Sequence, residues 1–215
     1  MLEIRDLDVS IHAVEILRGV ELDLPDGAMA GLIGRNGAGK TTLMRTIMGL
    51  LAYHRGSIRF QGKDLKTVPT YAISRLGFGF MPEDRRLVPE LTVEENILVP
   101  AWAVGSSEME KRLELVYWMI PEVKASADRK AMQLSGGQQK LVALGRALMS
   151  GTKLLLLDEP FEGVAPALSM RLVEVVSVLK KEGISIILSE SDLKHSSGML
   201  DRVFRIDRGV VNRAL

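Results

Sequence analysis

The strongest chemical signal in this 215-residue sequence is GRNGAGKT, Gly34 to Thr41, which fits the pattern G-x-x-x-x-G-K-[ST]. Glycines let the backbone curl until successive N–H groups point at phosphate oxygens. Lys40 adds a cation for the outer phosphates, and the Thr41 hydroxyl can bind Mg²⁺. The stretch could also be an ordinary glycine-rich turn, and the elements on either side of it decide between the two.

The loop is predicted to run from a strand into a helix. AMAGLI, residues 28–33, is an apolar run of buried-strand length, and apolar residues recur at helical spacing from Lys40 to Leu50. A helix N-terminus in this place favours anions, so the context supports phosphate binding. The residues predicted to bind the nucleotide here are Gly34, Arg35, Asn36, Gly37, Ala38, Gly39, Lys40, Thr41 and Thr42.

A second chemical signal is KLLLLDEPFEG, in which four leucines run into Asp158 and Glu159. A buried strand that ends in two acids places them at the carboxyl edge of a parallel sheet, where open α/β folds bind their ligands. There Asp158 can hold Mg²⁺, and Glu159 can orient and deprotonate a water that attacks the γ-phosphate. Taken alone, the pair could be two solvated acids, but the phosphate-binding loop favours the chemical interpretation.

The third signal is LSGGQQK, Leu134 to Lys140. Ser135 is typical of a helix N-cap, and Gly136 and Gly137 allow a ligand to approach the backbone closely. The same physics as at the first loop predicts a further anion site, although a plain loop before a helix would also explain the stretch.

The elements between these motifs predict an α/β fold. Short alternating patterns at residues 2–11 and 19–24 indicate strands, and apolar strands return at 153–157, 184–188 and 202–206, with helices between them. Strands that alternate with helices imply a mostly parallel sheet covered on both faces. The mainly helical patterns of residues 92–149 indicate a lobe inserted into this core.

Composition excludes several classes of function. A net charge of +1 gives no general attraction to nucleic acid, so no nucleic-acid partner is expected. The absence of cysteine rules out disulfides and thiol catalysis, and three scattered histidines make a histidine-metal site improbable. The sequence predicts neither a signal peptide nor a membrane helix, so we expect a cytoplasmic chain that reaches a membrane only through partner subunits.

Together, the three motifs resemble the ATP-binding subunits of ABC transporters, in which LSGGQ is the signature sequence. The resemblance covers essentially the whole chain and implies a P-loop core with an N-terminal antiparallel β portion. It implies one domain, residues 1–215, with a helical subdomain inserted at about 84–150. It also implies ATP and Mg²⁺ as cofactors, and a head-to-tail pair of chains, identical or sister, in which each ATP lies between one phosphate-binding loop and the other chain's signature helix. The signature residues implied at the nucleotide are Ser135, Gly136, Gly137 and Gln138.

Finer features resemble the subgroup that takes up branched-chain amino acids, urea or other amides. These are GRNGAGKTTL, MPEDRRLVPELTVEENI, ALGRALM and DEPFEGVAP. Most ABC ATPases have a glutamine before the helical lobe that contacts Mg²⁺ and the attacking water; here Glu83 occupies that place, as is typical of the subgroup. The resemblance thus implies a catalytic and metal-binding role for Glu83.

Two positions depart from the family pattern. The residue that usually stacks on adenine is aromatic, but that place falls on Ile11, with His12 beside it. The histidine that usually senses the γ-phosphate is replaced by Ser191 in IILSESD, and His195 follows four residues later. Ser191 can donate one hydrogen bond with a shorter reach, so we expect hydrolysis to survive with weak γ-phosphate sensing. His195 would fall one helical turn away and is expected to point elsewhere.

The leading hypothesis is an ATPase that powers the import of a small solute through transmembrane permease subunits. A solute-binding protein would deliver the solute to these subunits. A module that binds ATP for regulation or assembly but hydrolyses little is the main alternative. A soluble ABC protein of DNA repair or translation is less favoured, because the chain has neither a second cassette nor a long coiled-coil insertion. The permease subunits are expected to dock at about residues 79–100, where Leu87, Val88 and Leu91 lie.

Overall fold

The architecture comprises two β-sheets and a set of helices packed around them. The computed structural model describes residues 1–105 and 108–214. In chain order, the strands and helices are β1 (Leu2–Ile11), β2 (Val14–Leu24), β3 (Met29–Ile33), α1 (Lys40–Ile47), β4 (Arg55–Phe60), β5 (Lys63–Asp64), α2 (Thr70–Ile73), β6 (Phe78–Met81), α3 (Val93–Val104), α4 (Met109–Met119), α5 (Pro121–Lys124), α6 (Gly136–Ser150), β7 (Leu154–Leu157), α7 (Pro166–Lys181), β8 (Ser185–Glu190), β9 (Arg202–Asp207) and β10 (Val210–Arg213).

The first sheet is antiparallel, with the strand order β2-β1-β4-β5. Its strands alternate buried and exposed residues, as in β4, where Ile58 and Phe60 face the core and Arg59 faces solvent. This period of two is typical of a sheet with one solvated face.

The second sheet has the order β10-β9-β3-β8-β7-β6, and all of its neighbouring pairs are parallel except β9 with β10. All residues of β3, β7 and β8 are buried, because other elements cover both faces of the sheet. Strands β3, β8, β7 and β6 are neighbours, so their carboxyl ends lie side by side along one edge.

The core forms on both faces of the parallel sheet. Leu154 and Leu156 of β7 join the cluster of buried side chains beneath the antiparallel sheet and α1. Leu155 and Leu157 point the other way and join the cluster formed with α3, α4, α6 and α7. The four successive leucines are therefore all buried, each pair on its own face, as the side-chain alternation of a strand requires.

Helices α3 to α6 lie between β6 and β7 along the chain. Thr92 begins α3 with a capping box, in which its hydroxyl accepts the N–H of Glu95 and the Glu95 carboxylate accepts the N–H of Thr92. Within the described ranges, no helix is both long and apolar enough to span a bilayer.

The predicted elements agree with the observed ones except at their edges. Strand β2 begins at Val14 rather than residue 19, and the sequence reasoning missed β5 and β10. These additions are short or exposed edge segments, whose pattern is weak because only part of each strand faces the core.

Candidate functional site

Gly34 and Gly39 occupy positions of the phosphate-binding loop that a side chain would crowd or strain. A Cβ at Gly34 would overlap the carbonyl oxygen of Ile206. Gly39 has a φ of 113° and precedes α1 as its N-cap without offering a side-chain hydrogen bond to the helix. The first N–H groups of α1 are thus left available to an anion.

Lys40 and Glu159 meet at the mouth of this loop. Lys40 Nζ lies 3.0 Å from Glu159 Oε1, and both side chains are buried. The same ammonium donates to the carbonyl oxygens of Gly34, at 2.5 Å, and Arg35, at 3.1 Å. The structure therefore brings together the predicted phosphate-binding cation and the predicted base, which are 119 positions apart in the chain.

Asp158 is fully buried at the end of β7. Its Oδ1 accepts a hydrogen bond of 2.7 Å from the Ser189 hydroxyl, whereas its buried Oδ2 has no hydrogen-bond partner among the described residues. Burial raises the pKa of Asp158, and the hydroxyls of Ser189 and Thr41 oppose the rise. A buried carboxylate oxygen without a donor is suited to a cation, so this donor set fits Mg²⁺.

Glu159 adopts an unusual backbone conformation, with a φ of 46° in the left-handed region. Such a conformation costs a residue other than glycine roughly 1–3 kcal/mol and persists only where the surroundings enforce it. Its N–H donates to Ser189 Oγ at 2.9 Å, and its carbonyl oxygen accepts from Lys140 Nζ at 2.8 Å. Neither contact follows from a local pattern in the sequence, so Ser189 and Lys140 were not predicted as partners of Glu159.

The Ser191 hydroxyl lies beside the loop, whereas His195 does not. Ser191 Oγ is 3.3 Å from Glu159 Oε1 and 3.1 Å from Asn36 Oδ1. His195 Nδ1 lies 3.2 Å from the hydroxyl of Ser169 on α7, and its ring stacks at a tilt on Phe161, with centroids 5.1 Å apart. The geometry thus agrees with the expectation that His195 points away from the phosphates.

A cavity of about 340 Å³ opens beside the phosphate-binding loop, with Glu83 and Glu159 among its lining residues. Desolvation is the main cause that raises the pKa of Glu83, and the carboxylates of Glu162 and Asp158 add to the rise. The apolar residue of the wall is Ile16, which the sequence reasoning missed; Ile11, expected at the adenine, does not line this cavity but ends β1 before the turn at His12. The lining residues are Ile16, Asn36, Gly37, Gly39, Lys40, Thr41, Thr42, Glu83 and Glu159.

The signature residues lie at the start of α6 and outside this cavity. The Ser135 hydroxyl accepts the N–H of Gln138, and the Gln138 side chain accepts the N–H of Ser135. This capping box fixes the helix start, and Gly136 and Gly137 follow it directly. The signature helix therefore does not contribute to the phosphate-loop cavity of its own chain.

A buried acid that the sequence reasoning missed, Glu190, ends β8 next to Ser191. Only 3% of Glu190 is exposed, and the Ser196 hydroxyl donates to its Oε2. Burial raises the pKa of Glu190 to about 7, and the nearby charges of Glu159 and Asp192 add to the rise. The folded chain therefore keeps the Glu190 proton up to about pH 7, whereas the carboxyl of the unfolded chain is already ionised at that pH.

We expect the free energy of unfolding to fall as pH rises, because the pKa of Glu190 is about 7 in the folded chain against an ordinary 4.5. A Glu190→Gln variant should lack this loss, so the wild type should lose up to about 3 kcal/mol relative to it between pH 4.5 and 7. Urea denaturation of both chains at pH 5 and pH 8 measures the difference. An equal pH dependence in the two chains would contradict the expectation, and Glu182→Gln, at the exposed end of α7, is the control.

The chain is similar to known ATP-binding proteins of ABC transporters. The family model described as ABC transporter matches residues 17–162. The high-affinity branched-chain amino acid transport ATP-binding protein BraG of Pseudomonas aeruginosa is 35% identical over 91% of this chain and 84% of BraG. The probable branched-chain amino acid transport ATP-binding protein LivF of Archaeoglobus fulgidus is 28% identical over 98% of this chain and 90% of LivF. The ADP conformation of MJ1267, an ATP-binding cassette of an ABC transporter, superposes with a TM-score of 0.84 at 28% identity, over 99% of this chain and 89% of that one.

The chain belongs to the ABC transporter family of ATP-binding proteins, since the family model matches more than half of it. It is an ABC-type ATPase with the P-loop fold that the sequence predicted, and that prediction of fold and family is confirmed. The comparisons favour transport-coupled ATP hydrolysis over a regulatory module with little turnover.

Proposed function

We propose that this chain binds Mg-ATP at the shared edge of β3, β8, β7 and β6, and that hydrolysis there powers the import of a small solute. The observation that carries the site is the contact between Lys40 and Glu159. The Lys40 ammonium, which can bind the phosphates, lies 3.0 Å from the Glu159 carboxylate, which can activate water. Both side chains are buried, and electrostatic interactions between buried charges are stronger than in water.

Each side chain at this edge has a proposed role. The loop from Gly34 to Thr42 surrounds the phosphates with N–H groups, and Lys40 neutralises their charge. Glu159 orients the attacking water and accepts its proton. Ser191 donates one weak hydrogen bond toward the γ-phosphate. Ile16, on the cavity wall, covers an adenine face by apolar contact in place of Ile11, which does not line that cavity.

The residues proposed to hold Mg²⁺ are Thr41, Asp158 and Glu83. The Oδ2 of Asp158, which has no hydrogen-bond partner in the part of the chain that the structure describes, supports this assignment. So does the position of Thr41 and Glu83 on the same cavity wall. When bound, Mg²⁺ would neutralise the charge that develops on the phosphoryl oxygens. Asp158 is held ready for it by the Ser189 hydroxyl, which fixes the other carboxylate oxygen.

A second ABC ATPase chain, the same or a sister, is proposed to complete each site head to tail. Support comes from the signature residues Ser135 to Gln138, whose capped helix start lies outside the cavity of its own chain. The N-terminus of α6, with Gly136 and Gly137 leaving its backbone accessible, suits the phosphates bound by a partner.

The proposed solute is a branched-chain amino acid or a related amide, by similarity to BraG and LivF. Transmembrane permease subunits would hold the chain at the inner face of the plasma membrane, and a solute-binding protein would deliver the solute to them. Residues 84–150 are proposed as the inserted helical subdomain, since α3 to α6 lie there. The permease contact is proposed at residues 79–100, where Val88 is 44% exposed.

Proteoliposomes test the solute directly. The chain, its permease subunits and the solute-binding protein are combined with internal ATP, and uptake of labelled leucine and labelled urea is compared. ATP-dependent leucine uptake that stops on omission of this chain is the expected result. Uptake of urea alone would move the proposal to the amide subgroup, and failure of the chain to bind any permease would contradict it.

Ser191→His is expected to raise ATP turnover modestly, because a longer donor would reach the γ-phosphate from the place where Ser191 Oγ now contacts Glu159. The gain should stay within about tenfold, or 1.4 kcal/mol of barrier, since Glu159 and the cations supply most of the stabilisation. Phosphate release at saturating Mg-ATP measures it.

His195→Ala is the matched control for this variant and should change turnover little, because His195 contacts Ser169 and Phe161 instead of the loop. If His195→Ala abolished hydrolysis while Ser191→His had no effect, His195 would be the γ-phosphate sensor. If neither variant had an effect and the parent chain scarcely turned over, the regulatory alternative would gain support.

A further inference from the structure

The peptide groups on both sides of the Glu159 Cα are bound by buried side chains from other elements. Ser189, on β8, accepts the Glu159 N–H at 2.9 Å, and Lys140, on α6, donates to the Glu159 carbonyl oxygen at 2.8 Å. Ser189 is fully buried and Lys140 is 6% exposed. Lys140 also donates to the carbonyl oxygen of Glu162, so it links α6 to the turn that follows β7, in which the Glu162 N–H donates to the Glu159 carbonyl oxygen at 3.2 Å.

These contacts matter because of the φ of 46° at Glu159. A left-handed conformation is unfavourable for a residue with a Cβ and relaxes unless its surroundings hold it. This conformation is the one that accompanies the 3.0 Å contact between the Glu159 carboxylate and Lys40. A rotation of the backbone at Glu159 would therefore move its carboxylate away from the phosphate-binding loop.

Lys140 satisfies two carbonyl oxygens at the cost of desolvating its own ammonium group. Burial lowers the pKa of Lys140, and the carboxylates of Glu162, Glu159 and Glu83 oppose that effect. Removing the ammonium would leave the Glu159 and Glu162 carbonyl oxygens without this donor. The turn would then lose its link to α6 and keep the 3.2 Å hydrogen bond from the Glu162 N–H to the Glu159 carbonyl oxygen.

We propose that Lys140 and Ser189 are positioning residues that hold the Glu159 backbone in its left-handed conformation and thereby aim its carboxylate at the attacking water. The inference rests on the role proposed for Glu159 as the base. Because Lys140 follows the signature residues on α6, it also ties the signature helix of a chain to that chain's own Glu159.

The central test is Lys140→Met, which keeps the apolar stem and removes the donor. We expect kcat to fall about 10- to 100-fold, as for a misplaced catalytic group, while the Kd for Mg-ATP changes by less than about twofold. ATP affinity should survive because Lys140 does not line the phosphate-loop cavity. Lys140→Arg keeps a donor and should recover most of the lost turnover.

Two comparisons separate positioning from a merely structural role. The control Lys180→Met removes another lysine that donates to a backbone carbonyl, that of Met199 at 2.7 Å, and should leave kcat within about twofold. In a Glu159→Gln background, adding Lys140→Met should lower the residual turnover by less than about twofold, because the group that Lys140 positions is already disabled.

The experiment tests the positioning role of Lys140 and the role of Glu159 as the base separately. An unchanged kcat in Lys140→Met, a parallel loss of ATP affinity, or a full additional loss in the Glu159→Gln background would overturn the proposal. If Glu159→Gln itself turned over normally, the proposed base would be wrong whatever Lys140 did. Should Lys140→Met not fold, Ser189→Ala, which removes one oxygen atom, takes its place. Because Ser189 also fixes Asp158, this variant is made in both backgrounds: kcat should fall in the wild type and fall by less than about twofold more in Glu159→Gln. Normal turnover in the first background, or a full additional loss in the second, would overturn the proposal.

Discussion

Lys40→Ala is expected to abolish tight binding of Mg-ATP. The ammonium lies among the Gly34 and Arg35 carbonyls and the Glu159 carboxylate, where the phosphates are proposed to bind. Without it, Glu159 would remain as a buried, uncompensated carboxylate facing the incoming anion. We expect the Kd to rise at least about 100-fold, or 2.7 kcal/mol, as calorimetry at fixed pH and salt can measure.

A matched substitution controls for loss of positive charge in general. Lys181→Ala removes an exposed lysine from the end of α7, far from the loop in sequence, and should leave the Kd within about twofold. An unchanged Kd in Lys40→Ala would mean that the phosphate-binding loop has been assigned wrongly.

Glu159→Gln is expected to retain ATP binding and to lose ATP turnover by a factor of at least about 100, because an amide cannot accept the proton of the attacking water. Binding should persist, since Lys40 and the loop amides are untouched and the amide is neutral next to the phosphates. The blocked cycle should accumulate an ATP-bound dimer. Phosphate release measures turnover, and light scattering during gel filtration in Mg-ATP measures the dimer.

Glu174→Gln is the control for this experiment, because it removes an exposed carboxylate on α7 that pairs with Arg171. Its turnover should match that of the wild type. Normal turnover in Glu159→Gln would assign the base to another residue, and a chain that stayed monomeric at high ATP would count against the head-to-tail pair.

The sequence alone predicted the chemistry of each motif because that chemistry is local. A phosphate-binding loop needs glycines, a lysine and a following helix within a few residues, so GRNGAGKT carries its own geometry. The signature stretch likewise caps its own helix through Ser135 and Gln138. The leucine run before Asp158 indicated a buried strand without reference to any other part of the chain.

What the sequence could not supply was the set of contacts across elements. It placed Ser191 only by resemblance, whereas the structure shows the Ser191 hydroxyl next to Glu159 and the His195 ring against Phe161. Ser189 and Lys140 carried no local signal. Each contacts Glu159 from a different strand or helix, and such partners depend on long-range packing.

From the sequence we predicted the residues that bind a nucleotide and identified the family, because glycine turns, helix starts and acidic strand ends are encoded in adjacent residues. Which of these residues meet follows from long-range packing. The strand order β3-β8-β7-β6 is not the order of the chain, so pairing between distant segments brings Lys40, Ser191 and Glu159 to one edge. The left-handed backbone of Glu159 is likewise a tertiary result, since side chains from α6 and β8 provide the hydrogen bonds around it.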